Sequence, residues 1–313
     1  MKSLTAAIFF VLVLRLQGFA QKDTTLVVDH TSITLSEVVI RSNINAAAFI
    51  DKVKNDTSFY KAFRNLRVLN FTALNDIRML DKRGNAKATL YSRTQQKAWN
   101  GCRTTTTLEE KAEGDIYDKN HHFNYYTAEL YAGLLFAFDT VCGETNIVGD
   151  PEIRIKNSSG TEKHKEQLKM LFFNPGKKIP GIPFLGSKMA IFDVEMAPYY
   201  DFSIDLVDYK GQNCYVFRVQ KKKDLTASQL DDIVIDEMTT WFNHDNFEIL
   251  GRTYVLSYNA GVYDFNVQME VELAKIGEWL VPTLIRYNGD WKLIFKNRER
   301  GIFTATLFDF SAN

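Results

Sequence analysis

Net charge of either sign is missing from this chain. Its 38 Lys and Arg residues balance 38 Asp and Glu, so no basic stripe points to nucleic acid and no one-signed field points to an anionic membrane surface. Histidine is scarce as well. The five, at 30, 121, 122, 164 and 244, form no HExxH and no spaced Cys/His set, which removes the common zinc signatures. Asp118, His121 and His122 read as a solvated turn, with a loop metal as the alternative. No GxSxG elbow is present. In "GIPFLGSK" (181–188) Ser187 precedes Lys188, the reverse of a phosphate loop, so the segment reads as structural. Most carboxylates, such as Glu270 and Glu272, alternate along a solvated strand face, and no acid/base pair stands out. Nothing singles out a catalytic residue, and no motif calls for a metal or other cofactor.

Long apolar runs are also absent. Beyond residue 20 no 18 consecutive apolar residues occur, so no transmembrane helix is expected there. The first twenty residues differ. "MKSLTAAIFFVLVLRLQGFA" carries a basic Lys2, an apolar stretch from Ala6 to Leu14, and small Gly18 and Ala20 before Gln21, the pattern of a secretory signal peptide over 1–20. Removing it takes Lys2 and Arg15 away and leaves 36 basic residues against 38 acidic ones. The expected address is the periplasm or the outer-membrane surface of a Gram-negative bacterium.

Cysteine is limited to Cys102, Cys142 and Cys214. In an exported chain an odd count allows one bridge and one leftover thiol. Cys102 in "NGCRT" and Cys142 in "VCGE" both sit beside glycine at turns, which favours a Cys102–Cys142 bond. Closing that loop of about 40 residues contributes roughly 4 kcal/mol in the chain-entropy model. Three free, buried thiols are the alternative. Proline is sparse too, and three of the six fall in "NPGKKIPGIPFLGSK" (174–188), a loop and the best internal boundary along the chain.

What the chain does have is alternation. "TLVVDHTSITLSEVVIRS" (25–42) reads as two short strands in an N-terminal strand segment over 21–42. Two helices follow. Ala46, Phe49, Ile50 and Val53 recur at helical spacing behind Asn43 as cap, and Phe59, Phe63 and Leu66 line a second helix behind Asp56. Leu69 to Glu113 reads as three strands turning at Arg83-Gly84-Asn85 and near Asn100-Gly101. "YTAELYAGLLFAF" (126–138) predicts a helix with Leu130, Leu134 and Phe138 inward, and "TEKHKEQLKMLFF" (161–173) one that stops at Asn174-Pro175-Gly176.

The cleanest strand is 262–273, where Tyr263, Phe265, Val267, Met269, Val271 and Leu273 alternate with polar residues. At about 3.4 Å per residue it runs roughly 40 Å, which suits a large curved antiparallel sheet. A loop at Asn259–Val262 sets Leu256 against Phe265 and Tyr254 against Val267. A primed turn at Asn288-Gly289 sets Leu284 opposite Leu293, Pro282 opposite Phe295, and Arg286 opposite Trp291 as a cation over a ring. Pro282 lacks an N–H, so its strand sits at an edge or a bulge.

The hairpins over 233–258 and 262–298, the turn region "MTTWFNHDNFEIL" (238–250) and "LVPTLIRYNGDW" (280–291) resemble the outer-membrane lipoprotein carrier fold, over roughly 110 residues. That resemblance implies a half-barrel with helices on its concave side and a cavity for lipid acyl chains. "ITLSEVVIRS" (33–42) followed by "INAAAFIDKVKND" is similar to a junction in outer-membrane receptors of Bacteroidota. It implies a periplasmic address, with an outer-membrane protein as a candidate partner.

These readings define an α+β chain whose 43–313 region is one large, curved, mainly antiparallel sheet with about four helices. The leading function is non-catalytic binding of a lipid, or of a lipoprotein acyl chain, against Tyr263, Phe265, Val267, Met269, Leu284, Trp291, Leu293 and Phe295. The same aromatic positions also suit plain core packing. A structural or interaction module of the envelope is the rival class, and a hydrolase the third.

Overall fold

The computed structural model describes residues 24–28, 31–35, 38–40, 45–137, 139–149, 167, 169–182, 185–260, 263–293 and 297–312. The expected signal peptide over 1–20, Asn43, Phe138 and Phe295 lie outside the described residues. The chain is an α+β protein built on one large, curved, unclosed sheet.

Among the described residues, strands β1 (Thr24–Val28) and β2 (Thr31–Leu35) pair with each other alone and β3 (Val38–Ile40) joins the main sheet, so three strands lie there where two were expected over 25–42. The long strands are β4 (Leu69–Leu80), β5 (Ala86–Trp99) and β6 (Cys102–Gly114), then, after the short β7 (Val141–Cys142), β8 (Tyr200–Tyr209), β9 (Gln212–Lys221), β10 (Ile235–Asn243), β11 (Ile249–Ala260), β12 (Tyr263–Ile276), β13 (Trp279–Leu293) and β14 (Glu299–Ala312). Their order across the sheet is β3-β8-β9-β10-β11-β12-β13-β14-β4-β5-β6-β7. Among the described residues only the β3–β8 pair is parallel. Because β14 pairs with β4, the strands before and after the 174–188 loop belong to one sheet.

Period-2 burial sets the two faces. On β12, Phe265, Val267, Met269, Val271 and Leu273 are buried while Asn266 and Gln268 are exposed, which is the alternation that places one face on a core. The outer face carries ion pairs such as Arg286–Glu270 at 2.8 Å and Lys210–Glu272 at 2.5 Å, each worth little to stability. On the inner face lie helices α1 (Ala46–Asn55), α2 (Ser58–Asn65) and α3 (Tyr126–Leu135), with a shorter helical turn at 169–173, while a further turn at 227–230 buries none of its residues. Phe49 of α1 enters an aromatic cluster with Phe217 and Phe242, centroids 5.9 and 5.6 Å away. Helix α1 is capped by Asn45, whose side chain accepts from the Ala48 N–H at 3.2 Å, two residues beyond the expected Asn43. Helix α2 starts behind Thr57 with no side-chain cap, so Asp56 does not cap it. Among the described side chains of α3, Thr127, Ala128, Tyr131, Ala132 and Leu135 are buried, and Leu130 is only half-buried.

Two Asn-Gly pairs behave differently. Asn100 and Gly101 have φ of 45° and 73° and turn β5 into β6, as a primed hairpin requires. Asn288 and Gly289 do not turn at all. They lie inside β13, facing Gln268 and Val267 on one side and Ile302 and Gly301 on the other. The pairings expected from a turn there are therefore replaced: Leu284 faces Glu272, Pro282 faces Leu273, and Arg286 faces Glu270 and not Trp291. A Cβ on Gly289 would fall 2.0 Å from the Tyr287 hydroxyl, and one on Gly301 would fall 2.7 Å from the Phe303 ring. The two glycines are cross-strand partners, and the rings two residues away fold over them and stack at 4.9 Å. Glycine here makes room for a ring. Pro282 sits at a register shift between Glu272 and Leu273 on the partner strand, the bulge its missing N–H demands. The β11–β12 register is two residues from the expected one, with Leu256 facing Val267 and Tyr254 facing Met269. An even slip keeps each face intact.

Gly289→Val should evict the Tyr287 ring and cost about 1–3 kcal/mol of overpacking. Urea unfolding with near-ultraviolet circular dichroism measures it, and unchanged stability with an unchanged aromatic signal would contradict the covering-ring account.

Candidate functional site: a seam beneath helix α3

Helix α3 has no side-chain cap of its own. Its first N–H groups are met instead by Glu299 at the start of β14. The Glu299 carboxylate accepts from Tyr126 N–H at 3.1 Å and Thr127 N–H at 2.8 Å, and from the Thr127 hydroxyl at 2.7 Å. An anion there satisfies otherwise orphaned donors and complements the helix dipole. The next turn lays Tyr131 on the Phe303 ring at 4.6 Å, over the paired glycines. Burial pushes the Tyr131 phenol up in pKa, so it stays neutral.

Beside α3 runs the helical turn at 169–173. Phe172 meets Tyr287 and Trp291 edge-on, centroids 6.1 and 5.8 Å away, and its carbonyl accepts from the Tyr254 hydroxyl. Phe173 stacks on Phe63 of α2 at 4.0 Å. Between α3, this turn and the sheet lies an apolar void of about 20 Å³ lined by Leu130, Tyr131, Phe172, Met269, Tyr287 and Trp291, among others.

The residues picked from the sequence as a ligand wall separate in the structure. Met269 and Trp291 line the void. Phe265, stacked on Trp291 at 4.7 Å, and Val267 are buried on the same inner face. Tyr263 and Leu293 are cross-strand partners. Leu284 lies on the opposite face, opposite Glu272 and Thr306, because β13 runs straight through Asn288-Gly289 and puts even and odd residues on different sides. Sequence reasoning missed Tyr131, Tyr287, Phe172 and Phe173. For Tyr287 a signal existed, since a glycine two residues from an aromatic on each of two neighbouring strands marks covering rings.

A second, polar void of about 30 Å³ lies at the other end of Phe173, lined by Arg64, Arg67, Arg103 and Lys169 with Phe63 and Leu135, among others. Cys102 and Cys142 are joined by a disulfide and face each other across β6 and β7, which sets Arg103 and Glu144 side by side. Glu144 receives Arg103 Nε at 2.6 Å and lies 3.0 Å from Arg67. Burial alone would raise its pKa, but Arg67, Arg103 and Lys169 together hold it below the usual carboxylate range. Cys214 is a buried free thiol.

Within the 174–188 loop, burial and then the nearby Arg252 pull the Lys177 ammonium down to about 8. Arg252 is itself lowered to about 10 by burial. Its Nε donates to the Thr240 hydroxyl at 2.9 Å, and its guanidinium lies 4.2 Å from the Phe59 ring centre. Asp118 accepts from the N–H groups of Asn120 and His122. Among the described residues no group of three His, Cys, Asp or Glu side chains is placed to hold a metal ion. No helix among them is long and apolar enough to cross a membrane.

No family model and no curated protein matches the chain. Solved structures similar to it include a DUF1329 family protein from Desulfovibrio piger, at 11% identity over 82% of this chain and 94% of that one, with a TM-score of 0.25. Another is a putative outer membrane lipoprotein-sorting protein domain from Vibrio parahaemolyticus, at 8% identity, 85% and 90% coverage and a TM-score of 0.27. A third is a LolA superfamily protein from Nitrosomonas europaea, at 9% identity, 82% and 92% coverage and a TM-score of 0.23. Superpositions this loose carry no functional argument.

Glu299→Ala should cost about 1–2 kcal/mol, as loss of a helix cap does, and should speed amide exchange over Tyr126–Leu135 while β12 stays protected. Equal exchange in α3 would show that packing alone holds it. Lys177 sets a pH dependence. The unfolded chain keeps its proton up to about 10.5 while the folded chain sheds it at about 8. Between those values the unfolded state binds more protons, so stability rises with pH, by roughly 1–2 kcal/mol from pH 8 to 9.5. Lys177→Met should remove that rise, as read by urea titrations at each pH.

Proposed function

We propose that this protein is a non-catalytic, exported binder of apolar chains, holding them between the inner face of its sheet and the cover made by α3 and the 169–173 turn. The observation that carries the reading is the seam itself: an apolar void, walled by Met269, Tyr287 and Trp291 of the sheet, lies directly beneath a helix whose N-terminus is held by a single carboxylate. The void is too small for a chain, so this reading requires α3 to part from the 169–173 turn for uptake. Removing apolar area from water would drive binding at about 25 cal/mol per Å², less the cost of immobilising the chain. The leader-like first twenty residues and the Cys102–Cys142 bond support an oxidising compartment such as the periplasm.

A second reading has its own observation. Beyond Arg103 the outer edge of β6 has no strand partner among the described residues, and an open edge can take up a strand from another protein. Glu109, Glu110, Lys111 and Glu113 stand exposed along it and oppose indiscriminate pairing.

Gently purified protein should release an apolar molecule into organic solvent, seen by mass spectrometry, and the stripped protein should bind a fluorescent fatty-chain probe that unlabelled lipid displaces. Leu130→Trp, which fills the mouth of the seam, should weaken probe binding at least about tenfold, roughly 1.4 kcal/mol, without lowering the melting temperature. An empty extract together with no probe binding would end the carrier reading and leave strand addition at β6.

A further inference from the structure

The inner face is apolar over most of its width, with Phe217, Leu256, Val267 and Met269 on β9 to β12 and Phe71, Ile77 and Met79 on β4, and it carries buried polar groups at Thr240 and Arg252 on β10 and β11 and at Asn75, Ser92, Thr94, Gln96 and Arg103 on β4 to β6. The polar void lies at the last of these, Arg103. Phe173 lines both voids. Tyr131 lines the apolar one and Leu135 the polar one, four residues apart and so on one face of α3. Phe173 and α3 thus contribute to the lining of both voids, with Trp291 and Met269 in one and the four cations in the other.

What sets the polar void apart is the concentration of one sign in so small a buried volume. Arg64, Arg103 and Lys169 are 5%, 8% and 8% exposed. The described residues lining the void include four cations and no carboxylate, with Glu144 as the acid behind them. Each of these cations also has protein contacts of its own. Burying like charges together is costly unless anions accompany them, and guanidinium groups present paired donors that match a carboxylate.

Resting on the carrier reading above, we propose that the ligand is a single-chain amphiphile with a carboxylate end, a long-chain fatty acid, its head in the Arg64–Arg67–Arg103–Lys169 pocket and its chain in the seam under α3. The charge of the polar void selects for this ligand: Arg64, Arg67, Arg103 and Lys169 line it together, and paired guanidinium donors match a carboxylate. Glu144, fixed by the disulfide, keeps Arg67 and Arg103 facing the pocket. Arg103 of β6 with the α2-region arginines and Lys169 accepts the wet end of the molecule, and Met269, Tyr287 and Trp291 of β12 and β13 accept the dry end.

The test compares palmitic acid with methyl palmitate on the whole stripped protein, each displacing a fluorescent fatty-chain probe, with palmitoyl lysophosphatidylglycerol as a third competitor. Palmitic acid should bind at least about tenfold more tightly than its ester, the scale of a charge-assisted hydrogen bond. Lys169→Gln and Arg67→Gln should each shrink that preference while leaving ester binding unchanged. Since the acid–ester comparison needs only the unsubstituted protein, a variant that fails to fold does not block it. Equal binding of acid and ester would overturn the headgroup assignment and leave the carrier reading standing. A phosphate-headed competitor that binds more tightly than the acid would overturn the choice of a carboxylate. Failure of all three to bind would sink the carrier reading itself.

Discussion

Strand β14 is the constraint on which the rest of the molecule depends. It pairs with β13 on one side and with β4 on the other, so the last described strand closes the gap between the three long strands that follow α2 and the run from β8 to β13. The same strand supplies Glu299 to the start of α3, Gly301 to the flat patch beneath it, and Phe303 to the stack on which Tyr131 rests. The sheet, the cover and the void are therefore fixed by one ladder. A slip of a single residue in β14 would turn Gly301, Phe303 and Ala305 outward together and remove the floor of the seam.

The inner face is held by two kinds of interaction. Toward β8–β13 rings pack on rings, Phe49 against Phe217 and Phe242, Phe192 against Phe202, Phe265 against Trp291, with buried hydrogen bonds from Arg252 and Tyr254 among them. Such packing depends on area and tolerates sliding. Around α2 the interactions are directional. Gln96 of β5 donates to the carbonyls of Leu66 and Leu69 at 2.6 and 2.8 Å and accepts from Arg103 at 3.0 Å, and Asn65 reaches across to the Leu280 carbonyl of β13 at 2.8 Å. Buried polar groups of this kind cost more to separate than apolar surfaces of similar size. Helix α2 is thus tied at its C-terminal end, while α3 lies on rings and is tied at its N-terminus through Glu299. Of the two, α3 is the element whose displacement leaves fewer buried polar groups unmet.

Much of the fold was legible in the sequence because alternation is a strong signal. The strands Leu69–Leu80, Ala86–Trp99 and Tyr263–Ile276, the turn at Asn100-Gly101 and the bulge at Pro282 all follow from local pattern and backbone chemistry. Asn288-Gly289 misled because a turn signal and a ring-covered glycine pair share the same letters. What separates them is Gly301 and Phe303 on a neighbouring strand, and that neighbour is set by register. The same error carried Leu284 to the wrong face. The cationic pocket escaped notice for a similar reason. Arg64 and Arg67 come from the α2 region, Arg103 from β6 and Lys169 from a distant turn, so no local window contains it. Helix caps failed by one or two residues, as local cap rules do when several Asn, Asp and Thr crowd one boundary.

A closed interior is what physics asks of an apolar carrier without cargo. A dry cavity of roughly 300 Å³ would cost on the order of 7 kcal/mol at about 24 cal/mol per Å³, comparable with the whole stability of many domains. An empty chain-binding site is therefore expected to collapse onto itself, with its aromatic walls meeting across the gap. The packing of Phe172 on Tyr287 and Trp291 and the Phe63–Phe173 stack have that form. Rings suit this role because an incoming chain meets the same apolar surfaces the rings gave one another, so the packing broken on opening is largely replaced by the chain. If the protein is the carrier proposed above, the small size of the void measures how well the walls substitute for a ligand, and α3, tied at its N-terminus through Glu299, is where exchange would begin.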